Sequence, residues 1–371
     1  MNILYDHQAF SGHMYGGVAR YFYELINQYQ QNHALSLQVS LLYSNNEYIK
    51  GRPLIPHRRY EWGAQNGFVN RVMTQLNRSN SIRYLREGQF DVFHPTYYHK
   101  YFLDYLGNKP FVLTFHDATS ERYAQQYPDV GGHLPELKRK LLQRADRIIT
   151  VSEFSKGEIQ QFFGVQPERI EVIHLGTSLA ESGLLGAGQN DVPTEPFPYL
   201  LYVGKRSFYK NFDGFFNAII PLLHRHPDVH LVCAGGGAFS RDELTGFAEA
   251  KLTNRVHFRP ITDNSLLGLY RHALAFVFPS LNEGFGIPVL EAFSGGCPAL
   301  LSDRSSLPEV GGDAALYFDP EQAESIAAVV ERVILDDACR AELSRRGRER
   351  LTLFSCEKTA AQTLAVYQSL R

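Results

Sequence analysis

The sequence predicts an α/β protein made of two facing Rossmann-like domains, each a parallel sheet covered by helices, with an interdomain cleft. Three observations predict it. Short apolar runs that read as buried strands alternate with helical patterns along the chain, which is how parallel sheets are written. The alternation stops at residues 182–198, a stretch rich in Gly, Pro and Ser, and restarts at Tyr199. The chain has 371 residues, too many for one core and enough for two. The expected division is a domain over 1–181, a linker over 182–198, a second domain over 199–353 and a terminal helix over 354–371.

Composition narrows the class. Apolar content of 44% and charged content of 20% describe a globular protein. A formal net charge of −2 gives no reason to expect a nucleic-acid partner. The four cysteines are far apart and lack ligand spacing, so neither a disulfide framework nor a zinc site is expected. The first residues, Met1-Asn-Ile-Leu-Tyr-Asp6, lack the basic and long apolar regions of a signal peptide. No apolar run nears the roughly 20 residues of a spanning helix. A cytoplasmic protein is expected.

Ile3-Leu-Tyr5 opens as a strand. Gly16-Gly17 then precedes a helix from Val18 to Ile26, in which Arg20 reads as a surface residue. Strand, glycine pair and helix form either a plain tight turn or a nucleotide-type turn with backbone N–H groups aimed at an anion. It is not G-x-G-x-x-G, which disfavours an NAD-dependent dehydrogenase. Leu37–Tyr43 is the second strand. From Lys50 to Arg86 eight basic residues face Glu61 alone, with Phe68, Val72, Leu76 and other apolar residues between. Such helices either lie on an anionic membrane surface or pack by their apolar stripe. Asp91–Pro95 and Pro110–Asp117 are strands with a histidine near each C-terminal edge, where open α/β sheets place ligands; the second is His116. A helix over 133–145 and a strand over Arg147–Ser152 follow. Ser152 caps a helix that Gly164 stops.

In the second half, Tyr199–Gly204 is a strand. Lys205-Arg206-Ser-Phe-Tyr-Lys210-Asn211 is a basic loop, and Asp213–His224 a helix. Val229–Gly237 is a strand running into a glycine turn, Arg255–Phe258 a short strand and Asn264–His272 a helix. Leu274–Ser280 is a buried strand. Glu283-Gly-Phe-Gly-Ile-Pro-Val-Leu-Glu291 then turns helical, with Pro288 suited to the first turn. Gly284 and Gly286 let backbone approach a ligand, and Glu283 and Glu291 flank the N–H groups of the helix start. As chemistry, this suits a ligand with hydroxyls and phosphate, such as a sugar nucleotide; read blandly, both are ordinary surface acids. Pro298–Ser302 and Ala315–Phe318 are the last strands, and Ser325–Leu335 and Ala338–Leu351 are helices.

The stretch from Glu283 to Glu291 resembles the E-x7-E motif of the family-4 retaining glycosyltransferases, which have the GT-B fold. Further words match: Phe278-Pro-Ser-Leu-Asn-Glu-Gly-Phe-Gly286, Ser306-Leu-Pro-Glu-Val-Gly-Gly-Asp-Ala-Ala315, Val151-Ser-Glu-Phe-Ser-Lys156, and Phe354-Ser-Cys-Glu-Lys-Thr-Ala360 with Cys356 in place of a tryptophan. The basic loop resembles G-R-x-x-x-x-K-N, with Lys205 at the arginine's place and Arg206 beside it. The resemblance implies a nucleoside-diphosphate-sugar donor, GDP-mannose first, and a lipid-linked or oligosaccharide acceptor. It implies that Lys210, with Lys205 or Arg206, holds the diphosphate. Glu291 would take the ribose, and Glu283 with the amides of Gly284, Phe285 and Gly286 the sugar. His116 would face that sugar, and Gly16-Gly17 the donor phosphates or the acceptor. His116, Glu283 and Lys210 are the expected catalytic residues. The final helix would cross back to the first domain. No metal or other cofactor is expected. An epimerase and a non-catalytic sugar-nucleotide-binding protein are the rival expectations on this architecture.

Overall fold

The computed structural model describes residues 1–11, 16–30, 35–51, 55–60, 66–126, 132–179, 195–206 and 208–370, with the backbone alone at 263 and 264. The linker expected over 182–198 falls mostly outside them. The chain forms two units: Met1–Leu175 with Cys356–Arg371, and Gly176–Ser355. The first boundary therefore lies a few residues before the expected one.

Unit 1 carries strands β1 (Asn2–Tyr5), β2 (Ser36–Val39), β3 (Val92–His94), β4 (Val112–Phe115), β5 (Arg147–Thr150) and β6 (Ile170–Val172). They pair in parallel as β2-β1-β3 and β4-β5-β6. A parallel bridge from Phe93 to Phe111 joins the two sets, with Phe93 N–H donating to the Pro110 carbonyl at 3.0 Å. The helix over Glu153–Phe163 begins and ends as its sequence dictates. Ser152 Oγ accepts from Ser155 N–H, and Gly164 takes the left-handed conformation with φ 65°. The helix Cys356–Gln368 belongs to this unit because Tyr367 is fully buried there. Its hydroxyl lies 2.9 Å from Tyr5 Oη and 2.6 Å from His94 Nδ1. Thr114 Oγ1 sits 2.9 Å from His94 Nε2. His94 thus has both ring nitrogens engaged inside the core, and burial pushes its pKa down to about 3.

One feature differs from the sequence reading, and another removes one of the two alternatives it left open. Arg20 is buried, not on a helix surface; it pairs with Glu24 at 3.7 Å under cover of the packed unit. The helix Gly67–Glu87 does not pack by its apolar stripe. Its buried residues are Asn77, Asn80, Ser81 and Leu85, while Phe68, Val72 and Leu76 are exposed at i, i+4 and i+8. Hydrogen bonds explain the inversion. Asn77 Oδ1 accepts the backbone N–H groups of Leu42 and Tyr43, and Ser81 Oγ bonds Ser40. Unpaired buried amides cost more than exposed apolar groups, so the polar face turns inward.

Unit 2 carries β7 (Tyr199–Val203), β8 (His230–Ala234), β9 (Val256–Arg259), β10 (Ala275–Phe278), β11 (Ala299–Ser302) and β12 (Ala315–Phe318). All are parallel, in the order β12-β11-β10-β7-β8-β9. This is the doubly wound Rossmann order, and strand order reverses between β7 and β10. The helix Phe212–Arg225 continues through Pro221 because packing outweighs the lost hydrogen bond. It buries Phe212, Phe215, Phe216, Ile219, Leu222 and Leu223, each worth roughly 1.5–3 kcal/mol of transfer free energy.

Candidate active site

The point where strand order reverses is where open parallel sheets bind ligands. In unit 2 two loops leave the sheet there, one after β7 and one after β10. The first ends in a 3₁₀ turn, Phe208–Lys210. Phe208 (φ 30°), the first residue of the turn, and Asn211 (φ 52°), just after it, lie in the left-handed region, a conformation that non-glycine residues hold only when neighbours fix it. Asn211 Nδ2 donates to the Pro320 carbonyl at 2.7 Å, which is one such fixture. Leu281 N–H donates to the Tyr209 carbonyl at 2.7 Å and ties the two loops together.

Lys210 Nζ then donates to Glu283 Oε1 at 2.6 Å. Both side chains are mostly buried. Burial acts to lower the Lys210 pKa, but the charge and hydrogen bond of Glu283 outweigh it and hold it above the usual lysine value. The ammonium stays charged at any physiological pH. Its aromatic surroundings, Tyr209 at 5.0 Å and Phe278 at 5.4 Å from ring centre to Nζ, also favour the cation.

The Glu283 loop is clamped by two serines that the sequence reading gave no role. Glu283 N–H donates to Ser305 Oγ at 3.0 Å. Ser306 Oγ donates to the carbonyls of Glu283 and Phe285, both at 2.9 Å. Their position immediately before the Leu-Pro-Glu-Val-Gly-Gly word was the available signal. Gly284 lies within this clamped loop. Gly286 caps the helix Ile287–Ser294 with φ 110°, and a Cβ there would lie 2.9 Å from Leu307 Cδ2. Phe285 is buried and packs edge-on against Phe354 at 5.9 Å. Glu291, the fifth residue of that helix, is buried and accepts a hydrogen bond from Tyr270 Oη at 3.2 Å.

Lys205 and Arg206 separate clearly. Lys205 is exposed. Arg206 is folded into the unit: Nε donates to Glu243 Oε1 at 2.6 Å, and the terminal nitrogens donate to the carbonyls of Gly235, Gly237 and Ala238 at 3.2, 2.8 and 3.1 Å. It pins the glycine turn after β8 to the loop after β7. Gly236 is required there, since a Cβ would meet the Gly204 carbonyl oxygen at 2.2 Å.

The remaining expected residues lie in unit 1. His116 follows β4, and its backbone N–H donates to Tyr98 Oη at 2.9 Å. Its ring meets the edge of Tyr21 at 5.5 Å. Burial lowers its pKa to about 4, against the pull of Asp117 and with help from Lys138, so the ring is neutral at physiological pH. Lys138 was not singled out from sequence. It is buried behind the turn and donates to the Asp117 carbonyl, Ser120 Oγ and Glu121 Oε2 at 2.9, 2.9 and 3.0 Å. Gly16 and Gly17 open the helix Gly17–Tyr29 beside a cavity of that unit. Among the described residues no group of three His, Cys, Asp or Glu is placed to hold a metal.

Two units built on parallel sheets, the second in Rossmann order with a cation and a carboxylate joined at its switch point, define a class, and comparison with known proteins gives its family. Residues 189–350 match the family described as Glycosyl transferases group 1, and residues 15–181 match Glycosyltransferase Family 4. The chain belongs to this glycosyltransferase family and is a glycosyltransferase of the GT-B fold. It is 32% identical over 278 residues to O-antigen chain mannosyltransferase B of Escherichia coli, covering 70% of each chain. It is 27% identical to the MMP alpha-(1->4)-mannosyltransferase of Mycolicibacterium hassiacum, over 63% of this chain and 56% of that one. In fold it is similar to the sucrose-phosphate synthase of Thermosynechococcus elongatus, with a TM-score of 0.77 at 21% identity over 100% and 99% of the two chains. It is also similar to Anabaena HepE in complex with UDP and glucose, with a TM-score of 0.72 at 16% identity over 99% of each.

Proposed function

We propose that this glycosyltransferase moves a mannosyl group from GDP-mannose to a hydroxyl of a lipid-linked or glycan acceptor, with retention at the anomeric carbon and without a metal. The mannosyl choice is supported by the names of the two relatives above, which span 70% and 63% of this chain. The observation that carries the mechanism is the Lys210–Glu283 pair at the reversal of strand order, beside the N-terminus of the helix begun at Gly286.

Breaking the bond from the anomeric carbon to the diphosphate oxygen leaves negative charge on that oxygen. Lys210, Lys205 and the helix N–H groups stabilise it, so charge neutralisation needs no metal. The acceptor hydroxyl attacks on the face the phosphate leaves, and its proton goes to the departing phosphate oxygen. Glu283 and the amides of Gly284–Gly286 hold the sugar, His116 contacts it as a neutral ring, and Glu291 takes the ribose. Arg206, occupied with Glu243 and three carbonyls, supports the loop and leaves the phosphate to Lys205 and Lys210.

Peripheral contact with an anionic membrane is part of the reading. It is supported by the exposed Phe68, Val72 and Leu76 on a helix carrying Arg71, Arg78, Arg83 and Arg86. Among the described residues no helix is long and apolar enough to cross a membrane.

The test is transfer from labelled GDP-mannose, with UDP-glucose as the comparison donor, to mannose-terminated oligosaccharides with and without a polyprenyl diphosphate. Reactions run with and without a chelator, and the product's anomeric coupling is read by NMR. Mannosyl transfer that survives the chelator and gives an α-linkage is the expected result. Turnover of UDP-glucose alone, or an inverted linkage, overturns it.

A further inference from the structure

His116, Asp117 and Ala118 connect β4 to a short helix, Thr119–Arg122, and the backbone of this connection is held from two sides. On one side the His116 N–H donates to Tyr98 Oη at 2.9 Å. On the other, the Asp117 carbonyl accepts from Lys138 Nζ at 2.9 Å. The same ammonium lies 5.3 Å from the ring centres of Tyr98 and Phe115. One cation therefore contacts the residue before the histidine, the phenol that holds its N–H, and the carbonyl just after it.

Lys138 belongs to the helix Leu134–Arg144, three and four residues before the buried Leu141 and Leu142. It thus stands on the inward face of that helix, where an apolar side chain would pack without charge. The lysine there is 2% exposed, and its three N–H donors meet three acceptors. They are the Asp117 carbonyl, Ser120 Oγ and Glu121 Oε2, at 2.9, 2.9 and 3.0 Å. A second ion pair fastens the same short helix: Arg122 Nε and Nη2 both donate to Glu158 Oε1 at 3.0 Å. Of the two pairs, the one made by Lys138 also grips the backbone beside His116. A buried ion pair adds little stability over apolar packing, because desolvation consumes most of the attraction. Fixing a carbonyl is something an apolar side chain at 138 could not do.

We propose that Lys138 is a positioning residue for His116, holding the carbonyl on one side of the histidine while Tyr98 holds the N–H on the other, and acting on transfer only through that ring. The inference rests on the reading that His116 contacts the transferred sugar, but one of its two readouts needs no turnover. The ring is faced by Asp117 and Lys138, the latter paired with Glu121, and by His94, Tyr21 and Tyr98 from neighbouring elements. Burial holds its pKa down, Asp117 pulls it up, and Lys138 pushes it down again.

The test compares Glu121→Gln, Lys138→Met/Glu121→Gln, His116→Ala and the triple combination in the full chain. Neutralising both members of a buried pair is tolerated far better than orphaning one, so the double variant should fold, which its melting temperature checks. The first readout is the NMR titration of the His116 ring. Glu121→Gln leaves its midpoint in place, and the double variant moves it up towards the ordinary 6.5. The second is kcat against donor KM in the transfer assay, well below every melting temperature. The double variant loses about ten- to a hundred-fold in kcat, the scale of a misplaced contact, with little change in KM. Glu121→Gln keeps most of kcat, and the double change has no further effect in the His116→Ala background. A merely structural Lys138 predicts instead that Glu121→Gln and the double variant lose activity in step with melting temperature, with the ring titration unmoved. An unmoved titration in a folded double variant, or a full further loss of kcat on top of His116→Ala, overturns the inference and leaves the sugar contact standing. A titration that moves while His116→Ala and the double variant both keep normal kcat upholds the positioning and removes His116 from the reaction.

Discussion

Lys210 and Glu283 are 73 residues apart in sequence and joined by a 2.6 Å hydrogen bond between opposite charges. Their strands, β7 and β10, are neighbours in the sheet although β8 and β9 intervene in the chain. The pair holds a cation and a carboxylate at one point before any ligand arrives. In the proposed reaction a donor diphosphate entering there would meet an ammonium already charged and already placed, which is the condition for effective electrostatic catalysis.

Lys210→Ala should lower kcat by about 10²–10³, the usual effect of deleting one group that stabilises leaving charge, with a smaller change in donor affinity. Steady-state kinetics with saturating donor measures it. Normal turnover would remove Lys210 from the chemistry.

Lys205 and Arg206 should part company when each is replaced by alanine. Arg206→Ala strips the partner from a largely buried Glu243 and from three carbonyls, and should cost about 3–5 kcal/mol of stability. Lys205→Ala should leave the melting temperature within a degree or so and raise donor KM about ten-fold, the scale of one charged hydrogen bond. Chemical denaturation and donor titration read the two effects separately. The opposite assignment of effects would return the diphosphate to Arg206.

Gly286→Ala should destabilise unit 2 by about 1–3 kcal/mol, because φ 110° is unsuited to alanine and its Cβ would press on Leu307. The helix Ile287–Ser294 would have to shift to relieve the contact, so donor affinity should fall with stability. Urea midpoints together with donor binding check this; unchanged values for both would contradict it.

Acid should cost stability through two histidines, the fully buried His94 and the partly buried His116. Their ordinary pKa is 6.5, and the folded chain holds His116 at about 4 and His94 at about 3. Below pH 6.5 the unfolded chain takes up protons that the folded chain refuses, so stability is full above that pH and falls as pH drops towards 4. The slope reaches about 1.4 kcal/mol per pH unit for each histidine. His94→Gln should flatten the slope between pH 6 and 4, read from denaturant midpoints across that range. A slope identical to that of the unaltered chain would show that His94 does not contribute.

Most of the strands and helices were legible along the chain because their signals are local. Apolar runs and helical periods marked the alternation, and Ser152 and Gly164 marked the ends of one helix by chemistry confined to a few residues. The loop residues of the candidate site could be named for the same reason: glycine, proline and charge stand in fixed order after a strand. What was misread or left open was non-local. Arg20 read as a surface residue until its burial beside Glu24 was seen. For the helix Gly67–Glu87 the sequence left membrane contact and packing by the apolar stripe both open, and only distant backbone N–H groups, which claim Asn77, remove the second.

By itself, then, the sequence determined the alternating α/β architecture in two halves and the loops that carry chemistry, because backbone preference and side-chain period act over a turn or a strand. Only the tertiary structure decided that Lys210 faces Glu283 and that Arg206 is spent on Glu243 and a glycine turn. Those outcomes depend on which strands become neighbours and on which buried polar groups find partners. Residues far apart in the chain settle both together.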